Sequence, residues 1–413
     1  MPAASHRTGH RAGHTVAVTP PPIARPRPRD LGVVIGRLPP GPTDSIVDVP
    51  HVRVGHRTVW RDEPPPPTGR GIARTGVTAI VPFTVGELFS SRVPAGAAVL
   101  NGAGEAIGIT SIGEWGTLET PIFLTSSMAI GRVYDGAVAT LVDLDERAGI
   151  DDALMPVVAE CDDGWLNTSR RAQVDEADVR AALADARGPE TGPTAGGAVG
   201  AGTGMICYEL KGGIGTASRQ VEPIDRRASW AAAERRRASA AGPTYTVGAL
   251  AMTNFGRIER LTIDGVRVGE TLVAEGWPDA GARRDRERGS CIVVIATDAP
   301  LLGPALERLA RRAGLGLART GSVAGHGSGE IFLAFSTGVR IPRGSAGALW
   351  NVELVDDEYL DPFFGAVVDA TEAAVIDSLF RADTVEGRDG HVVPGLPVER
   401  TLEWLAAAGR LAS

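Results

Sequence analysis

A polar, arginine-rich stretch, GARRDRERGS at residues 281 to 290, runs directly into the apolar run CIVVIATDAPL at residues 291 to 301. The change of polarity predicts a buried strand entered from an exposed loop, with Gly289-Ser290 at its entrance. A serine held there by a strand, behind a residue with no side chain, is a candidate nucleophile that first cuts its own chain. Attack of Ser290 on the carbonyl of Gly289 would turn the peptide bond into an ester, and water would release a new chain beginning at Ser290. Glycine suits position 289 because it tolerates strained backbone and leaves the carbonyl unshielded. The freed α-amine would titrate at about 7.7 to 8.0 in an unperturbed setting and could serve as general base for its own hydroxyl. The same dipeptide is also an ordinary turn before a strand.

Other short apolar runs punctuated by Gly and Pro predict further strands, at residues 31 to 36, 77 to 83 and 97 to 102. Helical periodicity appears at about 147 to 160 and at 174 to 187, 305 to 314, 364 to 382 and 399 to 411, the fourth of these starting behind Asp361-Pro362. Strands are often adjacent and helices come at intervals, which predicts a layered α+β fold rather than a strictly alternating parallel one. Residues 188 to 197 and 275 to 289 read as exposed loops. Residues 1 to 30, rich in proline and basic residues, read as a mobile tail ahead of a catalytic unit at 31 to 413.

Composition excludes several classes. A net charge of −8 speaks against nucleic acid, whose phosphates need a concentrated basic face. Lys211 is the only lysine. The apolar runs fall below the roughly 18 residues of a spanning helix, so no membrane association is expected. Cys161, Cys207 and Cys291 show no paired spacing, which fits a reducing, cytoplasmic location and neither a zinc ribbon nor a disulfide framework. No GxSxG, HExxH, phosphate loop or GxGxxG opening a helix is present, and no metal or cofactor is expected.

Three other stretches could carry chemistry. In RTGSVAGHGSGEIFLAFSTG, residues 319 to 338, Ser328 and Glu330 are two apart and project to one face of an extended chain. A carboxylate beside a hydroxyl can orient it and relay a proton. Asn254, near the end of TVGALAMTNFG, could donate its amide to a developing oxyanion, a contact worth about 3 to 4 kcal/mol where well placed. In AECDDGWLN, residues 159 to 167, Glu160 and the aromatic face of Trp165 suit a substrate ammonium. Each also has a plain structural reading, as a strand cap, a turn or a surface helix end.

Taken in order, DVPHVRVGH (48 to 56), VLNGAGE (99 to 105), ECDDGWLN (160 to 167), GAGTGM (200 to 205), KGGIGTASR (211 to 219), VGALAMTNFG (247 to 256), GSCIVVIATDAPL (289 to 301) and RTGSVAGHGSGEIFLAFST (319 to 337) resemble the L-aminopeptidase/D-Ala-esterase/amidase family, with its β-aminopeptidase relatives. The resemblance implies a four-layer αββα sandwich like that of N-terminal nucleophile hydrolases but differently connected. It implies self-cleavage into an α chain of residues 1 to 289 and a β chain of 290 to 413. Ser290 matches the nucleophile, Ser328 and Glu330 the supporting pair, and Asn254 the oxyanion donor. The implied substrates are short peptides, amides and esters, some with D- or β-residues, and the implied assembly is a homo-oligomer, a tetramer or larger. The tail, residues 275 to 288 and GEWGTLET (113 to 120) depart from the pattern. Two other readings stay open: an acyltransferase related to ornithine acetyltransferases, which use threonine as nucleophile, and a catalytically silent binding protein with the same fold.

Overall fold

The computed structural model describes residues 25–83, 87, 89–188, 192–222, 243–277, 288–344, 349 and 351–411. Most of the proposed tail and of the loop before Ser290 therefore lies outside the described residues.

Numbered along the chain, β1 (Arg53–Asp62), β2 (Ile72–Val81), β6 (Ile122–Ser126), β7 (Val157–Cys161) and β4 (Ala106–Ile107) form a five-stranded sheet in that order. A seven-stranded sheet runs β10 (Ile214–Val221), β11 (Tyr245–Asn254), β12 (Arg288–Thr297), β13 (Gly327–Ser336), β3 (Ser91–Gly102) and β14 (Ile341–Pro342), with β5 (Thr117–Leu118) also on β3. Two small hairpins pair β8 (Ile206–Cys207) with β9 (Leu210–Lys211), and β15 (Val385–Glu386) with β16 (Val392–Val393). The helices are α1 (Ile109–Trp115), α2 (Ile130–Leu144), α3 (Glu176–Ala186), α4 (Val268–Ala274), α5 (Gly303–Arg319), α6 (Asp361–Arg381) and α7 (Val398–Ala407).

The layers follow from the period of two in the strands. In β12, Cys291, Val293 and Ile295 pack with Leu306, Leu309 and Ala313 of α5 and with Val367 and Ala370 of α6. Ile292, Val294 and Ala296 point the other way, onto Leu124, Val157 and Ala159 of the first sheet. That sheet turns Val77, Ala79, Phe123 and Val158 outward, where Val133 and Ala137 of α2 and Val179 and Leu183 of α3 cover them. Helices, sheet, sheet, helices: the fold is the expected αββα sandwich. Because both faces of each sheet are buried, β12 and β13 read as continuous apolar runs rather than alternating ones.

Three expectations fail. Residues 31 to 36 are not a sheet strand. Gly32 and Gly36 take left-handed φ values of 78° and 83°, and the segment lies against α6, joined to the rest of the chain's extended structure only by a bridge between Val33 and Leu411. Residues 147 to 160 are not a helix, because Gly149 turns at φ 77° and Pro156 leads into β7. The helix in this region is α2, where Ile130, Val133, Tyr134, Ala137 and Leu141 make the apolar face. The packed chain also starts before residue 31. Arg27, 7% exposed, donates from Nε to Asp377 Oδ1 at 3.1 Å and from a terminal nitrogen to the Thr216 carbonyl at 3.0 Å. Arg25 donates to the carbonyls of Ala382 and Leu396.

Among the described residues no helix is long and apolar enough to cross a membrane. Even α6, the longest, carries Asp369, Glu372 and Asp377.

Candidate active site

Ser290 stands near the start of β12 between two neighbours of opposite direction. Antiparallel β11 sets Asn254 directly across from it. Parallel β13 sets Gly329 beside Ser290, Ser328 beside Gly289 and Glu330 beside Cys291. Ser290 is 5% exposed, and its hydroxyl donates to the carbonyl oxygen of Gly289 at 2.7 Å. The nucleophile candidate therefore rests against the very bond it is expected to cut.

Gly289 is required for a different reason from the one its sequence context suggests. Its φ is not left-handed, but a Cβ there would lie 2.1 Å from the Asn254 carbonyl oxygen and 2.8 Å from Phe255 Cα. Close approach of two strands, rather than strained backbone, excludes every side chain.

Asn254 is fully buried and held at both ends. Its Oδ1 accepts from the Ile206 N–H at 3.0 Å, and its Nδ2 donates to the Asp162 carbonyl at 2.9 Å. A backbone N–H needs an acceptor, so the amide orientation is settled, and Nδ2 keeps a second N–H for another oxygen.

Ser328 donates its hydroxyl to Glu330 Oε1, and both side chains are buried, so the two-residue spacing does bring them onto one face. That face is not the one Ser290 occupies. Alternation along the paired strands puts Ser328 and Glu330 with Gly289 and Cys291, whereas Ser290 points with Ile292 toward the other sheet.

The first sheet meets Ser290 through Glu160, next to the end of β7. A Cβ built on Gly104 would lie 3.2 Å from Glu160 Oε1, 3.6 Å from Gly329 Cα and 3.7 Å from Ser290 Oγ, so all three border one gap. Gly329 in turn cannot carry a side chain, since a Cβ would come within 2.8 Å of the Ala103 carbonyl. Glu160 accepts from the Glu105 N–H at 2.9 Å and from the Ser127 hydroxyl. Burial, outweighing these hydrogen bonds, raises its carboxyl above the ordinary value.

The remaining acidic and aromatic residues divide in role. Buried Asp163, pushed up to about 6 by desolvation, accepts from Ser126 Oγ at 2.7 Å and Asn167 Nδ2 at 2.9 Å. Exposed Asp162 offers its carbonyl to Asn254. Trp165 stacks on His391 with ring centroids 3.9 Å apart, while His391 Nδ1 donates to the Trp165 carbonyl at 2.8 Å. Trp165 is half-buried in that stack. Reasoning from sequence gave no role to Gly104, Ser127, Ile206 or Lys211. A lone lysine in a glycine-rich run was a signal for the last; for Ser127 there was none. Among the described residues no three His, Cys, Asp or Glu side chains are grouped to hold a metal ion.

The model of peptidase family S58 matches residues 44–393. The β-peptidyl aminopeptidase BapA of Sphingosinicella xenopeptidilytica is 40% identical over 385 residues, covering 91% of this chain and 90% of that protein. Among solved structures, a Burkholderia sp. β-aminopeptidase superposes with a TM-score of 0.78 at 41% identity, over 93% of this chain and 99% of its own. The L-aminopeptidase D-Ala-esterase/amidase of Ochrobactrum anthropi, described as a prototype serine aminopeptidase with a variant Ntn hydrolase fold, gives 0.82 at 39% identity, over 94% and 100%. This chain belongs to peptidase family S58.

Proposed function

We propose that this protein is a serine aminopeptidase and amidase that matures by cutting itself between Gly289 and Ser290. The observation that carries the reading is the Ser290 hydroxyl 2.7 Å from the Gly289 carbonyl oxygen, with Asn254 across from Ser290 on one strand and Ser328 beside Gly289 on the other. In maturation, Ser290 Oγ adds to the Gly289 carbonyl carbon, the C–N bond breaks with its proton on nitrogen, and water hydrolyses the resulting ester. Gly289 is left with a carboxylate and Ser290 with an α-amine.

The opposed faces of β12 then acquire a purpose. The new amine stands where Gly289 was, on the side of Ser328 and Glu330, while the hydroxyl faces the gap between the sheets. The amine accepts the hydroxyl proton as Oγ attacks a substrate carbonyl, and the Ser328–Glu330 pair orients that amine. Asn254 Nδ2 donates to the oxyanion. The protonated amine hands its proton to the leaving group, and water releases the acyl product.

Glu160 binds the substrate's free amino terminus, which restricts the enzyme to N-terminal residues of short peptides, amides or esters. The aromatic face of Trp165, a residue stacked on His391, assists Glu160 in holding the substrate ammonium. The relatives named for β-peptidyl and for L- and D-configured substrates support a choice among these classes, and the serine nucleophile favours hydrolysis over acyl transfer. Its free, buried cysteines suit a reducing cytoplasm, and we expect a homo-oligomer of four or more copies. A panel of L-, D- and β-aminoacyl amides, each with free and acetylated amine, tests the assignment. Hydrolysis of the free-amine forms alone is expected; equal turnover of acetylated forms would contradict it.

A further inference from the structure

Lys211 is fully buried, and among the described residues no carboxylate lies within ion-pairing distance of it. Its Nζ instead donates to three carbonyls, those of Met205 at 2.7 Å, Gly212 at 2.6 Å and Gly202 at 3.1 Å. A buried cation held only by backbone oxygens is costly to keep, so its charge calls for a use beyond packing.

One of those carbonyls belongs to the Met205–Ile206 peptide, whose N–H donates to Asn254 Oδ1 at 3.0 Å. The hydrogen bonds thus run in one direction: from the ammonium to Met205 O, through one peptide group to Ile206 N–H, into Asn254 Oδ1, and out from Nδ2. Each amide in such a chain is polarised by the bond before it, which strengthens the bond it gives by about 10 to 30%. The β8–β9 hairpin closes the geometry, with the Tyr208 N–H on the Phe255 carbonyl just past Asn254.

We propose that Lys211 is a positioning residue for the oxyanion donor: acting through the Met205–Ile206 peptide, its charge fixes and polarises the Asn254 amide. The inference rests on the oxyanion role given to Asn254 above. Burial lowers the Lys211 pKa to about 7, with Cys207 opposing the shift. Only Lys211 supplies a formal charge to this chain of hydrogen bonds, and only the far end of the chain faces the reaction.

The test is a double-mutant cycle on an aminoacyl p-nitroanilide, with kcat taken per self-processed chain and folding checked by thermal melting. Lys211→Met is expected to lower kcat by about tenfold with KM within about twofold of wild type, a fraction of the loss from deleting an oxyanion donor. In an Asn254→Ala background the same change is expected to cost nothing further. Lys211→Gln, which keeps two N–H donors without the charge, is expected to behave as Lys211→Met does and replaces it if that chain does not fold. Wild-type kcat in the lysine variants, a loss that appears in KM, or a loss that adds to that of Asn254→Ala would overturn the inference while leaving the active-site assignment standing. Wild-type kcat in Asn254→Ala alone would instead remove the assignment beneath it.

Discussion

The two sheets end at the same gap and bring different chemistry to it. The seven-stranded sheet contributes Ser290 and Asn254 to it and carries the Ser328–Glu330 pair on its opposite face, all four placed by the pairing of three neighbouring strands. The five-stranded sheet contributes Glu160, whose carboxylate is held by one backbone N–H and one hydroxyl beside the bare backbone of Gly104. Groups that act on a developing charge need fixed geometry, because an error of about 1 Å can cost about a hundredfold. A group that holds a flexible substrate amine needs charge and room. The contrast predicts that changes in the larger sheet fall on the cut and on kcat, and changes in the smaller one on KM.

The largest effect is expected from Ser290→Ala, which removes nucleophile and cut together. Electrophoresis should show one uncut chain, and turnover should fall to background, a loss on the order of 10⁶ by comparison with other serine hydrolases. Residual turnover near wild type would break the assignment of chemistry to this sheet. Asn254→Ala should follow, lowering kcat by about 10² to 10³ with little change in KM. Gly289→Ala should slow the cut by about a hundredfold, since the added Cβ forces β12 away from Asn254. A time course of chain separation in purified precursor would measure it, and a wild-type rate would show that the close pairing of Gly289 with β11 is dispensable.

The smallest effect is expected from Glu160→Gln. Loss of a charge-assisted hydrogen bond of about 1.5 to 3 kcal/mol should raise KM roughly tenfold to a hundredfold and leave self-cleavage intact. Failure of the cut in this variant would erase the distinction between the sheets. Glu160 must be ionised to hold an ammonium, and its pKa is raised by burial. Substrate binding in the wild type should therefore weaken, as pH falls, at a higher pH than an ordinary carboxylate would dictate. That acidic limb should vanish in Glu160→Gln.

How much of this was readable in the chain depended on whether local pattern and tertiary context agreed. The buried strands and the helices α3, α5 and α6 were legible because their apolar period matches their final environment. Helix α2 was not, since Gly131 and Gly136 dilute its apolar face, while residues 147 to 160 carry helix-like apolar spacing that Gly149 and Pro156 override. At the site, the spacing of Ser328 and Glu330 foretold their contact, and the family motifs foretold the company of Ser290 and Asn254. That the hydroxyl and the supporting pair lie on opposite faces of the sheet was hidden, because it depends on the parallel register of β12 with β13. Register is set by partners far along the chain, as is the Ser127–Glu160 contact.

The central claim is that Ser290 becomes a chain terminus. Intact-mass measurement and denaturing electrophoresis of the purified wild-type protein test it directly. Two chains are expected, one ending at Gly289 and one beginning with a free amine on Ser290. A single full-length chain after prolonged incubation would contradict it.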